Sequence, residues 1–103
     1  MADPMKIRAQ SSAGVTEVKV LMAHPMETGQ RKDAAGKTVP AHYITDVLVT
    51  WNGKTVLSAT WGPAISQNPY LSFKFKGGNK GEKITVTWTD NKGDKRTDEA
   101  TIS

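Results

Sequence analysis

The 103-residue chain contains no cysteine. That absence excludes disulfides, thiolate metal sites, iron–sulfur clusters and cysteine nucleophiles together. It does not choose a redox compartment, because a cysteine-free protein is equally at home in reducing and oxidising surroundings. Long apolar runs are also missing, and no stretch approaches the roughly 18 residues of a membrane-spanning helix. Met1-Ala2-Asp3-Pro4 is not a basic region leading into an apolar stretch, so no secretory signal is visible and the sequence alone points to the cytoplasm. Acidic residues are scarcer than basic ones, ten against fourteen, which leaves a net charge of +4. That surplus favours acidic partners or small anions through long-range attraction. Without exposed aromatics interleaved among the Lys and Arg, it does not indicate nucleic acid.

What is present is an ordinary globular composition, 37% hydrophobic and 23% charged, at a length that suits one domain over residues 1–103. The dominant pattern alternates with period two, the mark of strands with one buried face. Met5, Ile7 and Ala9 alternate with Lys6, Arg8 and Gln10; Val18, Val20 and Met22 alternate with Glu17, Lys19 and Leu21. Leu71, Phe73 and Phe75 form a third such series, and Ile84, Val86 and Trp88 a fourth. A final strand from about Arg96 to Ile102 is mostly polar and suits a sheet edge. Between these lies the strongest local signal, Val47-Leu48-Val49-Thr50-Trp51, Asn52-Gly53 and Lys54-Thr55-Val56-Leu57. Asn-Gly between apolar runs predicts a two-residue hairpin, since both turn residues tolerate positive φ. Seven strands and no helical periodicity predict an all-β fold, a single immunoglobulin-like antiparallel β-sandwich.

The hairpin raises a question of facing. With Trp51 opposite Lys54 and no bulge, Val49 faces Val56 and Leu48 faces Leu57, which makes both faces apolar. A sandwich sheet buries one face, so the second is either covered by a long connection or offered to a partner. A charge at Val49 or at Leu57 is then expected to separate the core face from a docking face.

Two loops stand apart from the strands. Residues 23–40, eighteen in number, show no alternation, and loops longer than about 12 to 15 residues tend to be functional or disordered. The half from His24 to Gly29 looks suited to docking, and the half from Gln30 to Lys37 is polar and expected to be loose. The second loop, Trp61 to Tyr70, is stiffened by Pro63 and Pro69.

Few groups could carry chemistry. His24 and His42, with Met22 and Met26 nearby, could be read as a copper site, but Met22 falls on an inward strand face and suits core. A superoxide-reductase-type iron centre needs four histidines and a cysteine, which this chain cannot supply. Ser66, His42 and Asp46 could be arranged as a triad on paper. His42 and Asp46 nevertheless lie four residues apart on one strand, roughly 13 Å along it, too far for a triad hydrogen bond. Gly77-Gly78-Asn79-Lys80-Gly81 precedes a threonine-rich strand instead of a helix, so it reads as a turn and not a phosphate loop. No catalytic residue, metal site or cofactor is expected.

The motifs His24-Pro25-Met26-Glu27-Thr28-Gly29, Arg31-Lys32, Pro40-Ala41-His42, Asn52-Gly53, Trp61-Gly62-Pro63 and Asn68-Pro69-Tyr70-Leu71-Ser72-Phe73-Lys74-Phe75-Lys76-Gly77-Gly78 resemble the SoxZ family of sulfur-oxidation proteins, from about Met5 to Ile102. The resemblance implies a non-catalytic subunit that pairs with SoxY, whose cysteine-bearing arm carries the sulfur substrate to the thiosulfate-oxidising Sox enzymes. It also implies work in the periplasm after export together with that partner, against the cytoplasmic reading. Partner binding is expected to involve His24, Met26, Val49, Leu57, Trp61 and Tyr70. The isolated chain is expected to self-associate as a homodimer, and neither nucleic acid nor a membrane is an expected partner. The competing readings are a free-standing ligand-binding or adhesion sandwich and a histidine-based metal redox protein.

Overall fold

The computed structural model describes residues 4–62, 65 and 67–103. Its strands are β1 (Lys6–Ser12), β2 (Val15–Leu21), β3 (Ile44–Trp51), β4 (Lys54–Thr60), β5 (Tyr70–Lys76), β6 (Lys83–Asp90) and β7 (Lys95–Thr101). They pair antiparallel into a three-stranded sheet, β1-β2-β5, and a four-stranded sheet, β4-β3-β6-β7. Hairpins join β1 to β2, β3 to β4 and β6 to β7, while the other three connections cross between the sheets. This is the β-sandwich that the alternation predicts. Among the described residues no helix interrupts it.

The period-two residues meet across the sandwich. Val18 and Val20 of β2, Val47 and Val49 of β3, and Ile84, Val86 and Trp88 of β6 are at most 1% exposed. Burial of this kind stabilises by about 1.5–3 kcal/mol per large aliphatic side chain. The chain closes on one side, where Ser11 N–H donates to Ser103 O at 3.0 Å and Ser103 N–H to Ala9 O at 2.9 Å. Met5 N–H completes that seam on Asp98 Oδ2 at 3.0 Å.

With β1 held against the chain end beside β7, the shortfall of a three-stranded sheet facing a four-stranded one falls on the opposite side. There β4 and β5 are the free edges. The inward residues of β5, Leu71, Phe73 and Phe75, and those of β4, Val56, Leu57 and Ala59, are only half-buried. Core burial thus fades toward the β4–β5 side.

The hairpin turn is as predicted, with Asn52 at φ 48° and Gly53 at φ 78°, the left-handed pair of a type I′ turn. The register beyond it is not. A bulge between Val49 and Thr50 pairs Thr50 with Thr55 and Val49 with Leu57, while Leu48 faces Ser58. Val56 is the extra residue, so Val56 and Leu57 both pack toward the core. The doubly apolar hairpin therefore dissolves: Val49 and Leu57 share the inner face, and only Leu48, 40% exposed, stays apolar outside.

Gly77 and Gly78 form the crossing from β5 to β6 at a close approach. Gly78 has φ +87°, and a Cβ there would lie 2.1 Å from Thr16 Oγ1. Thr16 in turn donates to Gly77 O at 2.6 Å, and Trp51 stacks over Gly77. This run is a packed turn, as its composition predicts.

Candidate functional site

The connection from β2 to β3 is where the structure concentrates polar groups. Alternation along β6 turns Ile84, Val86 and Trp88 inward, and the next residue in that series is Asp90. A carboxylate delivered to the core by strand geometry must be satisfied there. Asp90 is: its side chain is fully buried and accepts from four groups. Oδ1 takes the N–H groups of Lys92 at 3.0 Å and Asp94 at 2.9 Å, within the β6–β7 turn. Oδ2 takes Nε2 of His24 at 3.1 Å and Nε2 of His42 at 2.7 Å.

These two histidines come from opposite ends of the long connection. Glu27 and His42 exchange backbone hydrogen bonds at 2.6 and 3.0 Å, so the segment folds back on itself. Further out, a bridge between Lys32 and Thr38 and an Asp33 side chain that accepts from Ala35 and Lys37 close the tip. The expected loose half is a hydrogen-bonded turn. Its base is fixed more firmly, with His24 edge-on to Trp88 at 5.0 Å and to His42 at 4.5 Å.

The tautomer of His24 follows from its neighbours. Met26 N–H donates to Nδ1 at 3.1 Å, so Nδ1 presents its lone pair and the neutral ring carries its proton on Nε2, toward Asp90. Met26 adopts φ 49° to make this contact, a conformation uncommon outside glycine and asparagine. Its sulfur accepts from Ile44 N–H at 3.4 Å. Burial lowers His24 from its ordinary value of 6.5, and outweighs the raising effect of the Asp90 hydrogen bond.

His24, His42 and Asp90 place their ligand atoms within 4.8 Å of one another, a grouping that could attract a divalent cation. Coordination through His24 Nε2 would require the ring proton to move to Nδ1. There it would oppose the Met26 N–H, donor against donor in a buried place. The arrangement therefore favours a hydrogen-bonded staple over a metal centre. It locks the ends of the loop to the β6–β7 turn.

Sequence reasoning had both histidines but not Asp90, which lies 66 residues from His24 and 48 from His42. The available signal was the alternation of β6, extended by one step. The paper triad is not assembled: His42 engages Asp90, Asp46 Oδ2 accepts from its neighbour Thr45 at 2.9 Å, and Ser66 lies outside the described residues. Of the expected partner contacts, His24 at 3%, Met26 at 6% and Val49 at 0% exposure are buried within the chain. Leu57 and Trp61 are half-buried at the β4–β5 side. Tyr70 is 60% exposed on the outer face of β5.

Taken together, the fold and the staple define a class, an immunoglobulin-like sandwich module whose buried polar groups fix a long loop. The chain belongs to the SoxZ family, the sulphur oxidation protein SoxZ, whose family model matches residues 5–101. It is a protein of the sulfur-oxidation system. No curated protein matches the sequence. Among solved structures it is similar to a superoxide reductase in the oxidised state, with 16% identity over 99% of this chain and 89% of that one and a TM-score of 0.67. A hypothetical protein from Pyrococcus horikoshii is similar at 17% identity, over 99% and 89% of the two chains, with a TM-score of 0.65. The reduced neelaredoxin of Archaeoglobus fulgidus follows at 21%, 97%, 87% and 0.61. Identities this low speak for the shared sandwich and not for shared chemistry.

Proposed function

We propose that the chain is the non-catalytic subunit that binds SoxY, the thiol-bearing sulfur carrier, and helps present its covalently held substrate to the thiosulfate-oxidising enzymes. Family membership supports this reading, and the observation that carries it is the unclosed β4–β5 side. The β4 and β5 edges leave Leu57, Trp61, Phe73 and Phe75 half-covered, the kind of aromatic, apolar surface that anchors obligate partners. The missing cysteine fits a division of labour, because covalent sulfur chemistry needs a thiolate that a partner can supply.

Of the residues expected to bind the partner, Leu57 and Trp61 make contact in this reading. His24 and Met26 hold the neighbouring loop in shape, and Val49 underlies Leu57 across the hairpin. We place the working compartment in the periplasm and the route there in export as a preassembled pair, as the family resemblance implies. An interface formed before export has to be tight.

Co-expression with the cysteine-bearing chain tests the reading. A one-to-one complex that survives size exclusion is expected, with Leu57→Ser and Phe73→Ser weakening it at least tenfold while circular dichroism keeps the β signature. Wild-type chains that elute separately would overturn it, as would folded variants that pair normally.

A further inference from the structure

The outer face of the β1-β2-β5 sheet has a composition unlike the rest of the molecule. Alternation sends Lys6, Arg8 and Gln10 of β1, Glu17, Lys19 and Leu21 of β2, and Tyr70, Ser72, Lys74 and Lys76 of β5 outward. Five of these side chains are basic and one is acidic, so the face carries +4 and accounts for the whole surplus of the chain. The nine other basic residues are balanced by nine other acidic ones. The lone acid, Glu17, is spent internally on Lys19 at 3.6 Å and Lys74 at 3.9 Å. Among the described residues no acidic side chain forms an ion pair with Lys6, Arg8 or Lys76.

The register arranges these groups in rows across the sheet. Lys6, Leu21 and Tyr70 lie side by side, and the next outward row is Arg8, Lys19 and Ser72. Among the described residues, Leu21 and Tyr70 are two of the four large apolar side chains that are exposed, at 40% and 60%. Lys6, Arg8, Lys19, Leu21 and Tyr70 line one shallow depression of about 300 Å³. The opposite outer face, by contrast, is a near-neutral carpet of threonine, including Thr85, Thr87, Thr97 and Thr101.

We infer that this face is a second docking surface, for a partner protein whose acidic patch surrounds an exposed apolar side chain. Leu21 and Tyr70 anchor the apolar group, and Lys6, Arg8 and Lys19 meet the carboxylates around it. Charge concentrated on one face steers an oppositely charged partner and speeds encounter more than it tightens binding. That suits a transient visitor and not the permanent companion held at the β4–β5 side. A protein fits better than a nucleic acid, because the cations flank an apolar centre on an open sheet and do not run along a groove beside several stacking aromatics.

The probe is a synthetic peptide of glutamates around one leucine, titrated into the isotope-labelled chain and followed by amide chemical shifts. Expected are weak, salt-sensitive shifts confined to β1, β2 and β5, a loss of about tenfold in affinity for the Arg8→Glu/Lys19→Glu variant, and weaker binding for Tyr70→Ser. Both variants alter exposed side chains, and an unchanged melting temperature verifies that they fold. Saturating the chain with its thiol-bearing partner should leave the peptide bound, so this inference and the pairing reading can fail separately. Shifts on the threonine face, indifference to the charge reversal, displacement by the partner, or equal binding of a single-stranded oligonucleotide would each overturn it.

Discussion

At the scale of single residues, the staple predicts how stability responds to acid. His24 is depressed below 6.5 mainly by burial; His42 lowers it further, while Asp90, through its hydrogen bond and charge, and the charge of Asp94 raise it. The unfolded chain therefore binds that proton more readily than the folded one, and stability falls as pH drops through and below 6.5. Asp90 acts in the same direction at lower pH. Burial raises its carboxyl, yet the bonds from His24 and His42 and from the backbone of Asp94 and Lys92 lower it more, leaving it below 3.8. Its stabilisation is complete above that value and is lost as pH falls below it. A protonated His24 also forfeits the Met26 bond, since Nδ1 then carries a proton. Thermal melts between about pH 7 and pH 5 should show a falling midpoint for the wild type and a flatter profile for His24→Gln. Parallel profiles for the two would refute the assignment. Asp90→Asn puts an amide N–H₂ where donors converge, and a loss of about 1–3 kcal/mol is expected in denaturant titrations.

Among the elements, most of the architecture was legible. Strand positions came from alternation, because one-sided burial imposes a period of two on every strand that faces the core. The I′ turn came from Asn52-Gly53, because few other pairs accept positive φ twice in succession. The bulge at Val56 was not legible. A two-residue turn fixes only the first pair, Trp51 with Lys54, and the run Val56-Leu57 offers an apolar residue to the core in either register. The staple was hidden for a different reason: its members come from the two ends of one long connection and from the end of β6, and no local pattern links them. The corrected register changes what a charge would do. Val49→Asp is expected to unfold the domain, whereas Leu57, on the same face but at the open side, tolerates polar change in the fold. At the β5–β6 crossing, Gly78→Ala should cost about 2–4 kcal/mol, since it adds a clash with Thr16 to the left-handed backbone cost. Gly36, at φ +80° with nothing within 4 Å, supplies the control, with only about 1–2 kcal/mol expected for Gly36→Ala. Equal losses at the two positions would mean that close packing at Gly78 is unimportant.

At the scale of the whole molecule, the two sheets make different surfaces and the two open edges make a third. A standard interface takes about 800 Å² from each partner, roughly an eighth of the chain's 6341 Å². A hairpin apolar on both faces would drive self-association of the isolated chain. With that basis gone, the expectation rests on the same unclosed side. Two copies meeting there would cover Leu57, Trp61 and Phe73 at the expense of juxtaposing Lys74 and Lys76, edge charges that oppose strand pairing. Homodimerisation should therefore be weak, concentration-dependent and favoured by salt, while the thiol-bearing partner displaces it. Sedimentation of the pure chain over a range of concentrations tests this directly. A strictly monomeric chain at high salt would argue that the apolar side does not support self-pairing. A dimer resistant to the partner would mean that the side is built for self-pairing. Only a weak dimer that dissolves as the heterodimer forms fits an apolar side that receives another protein.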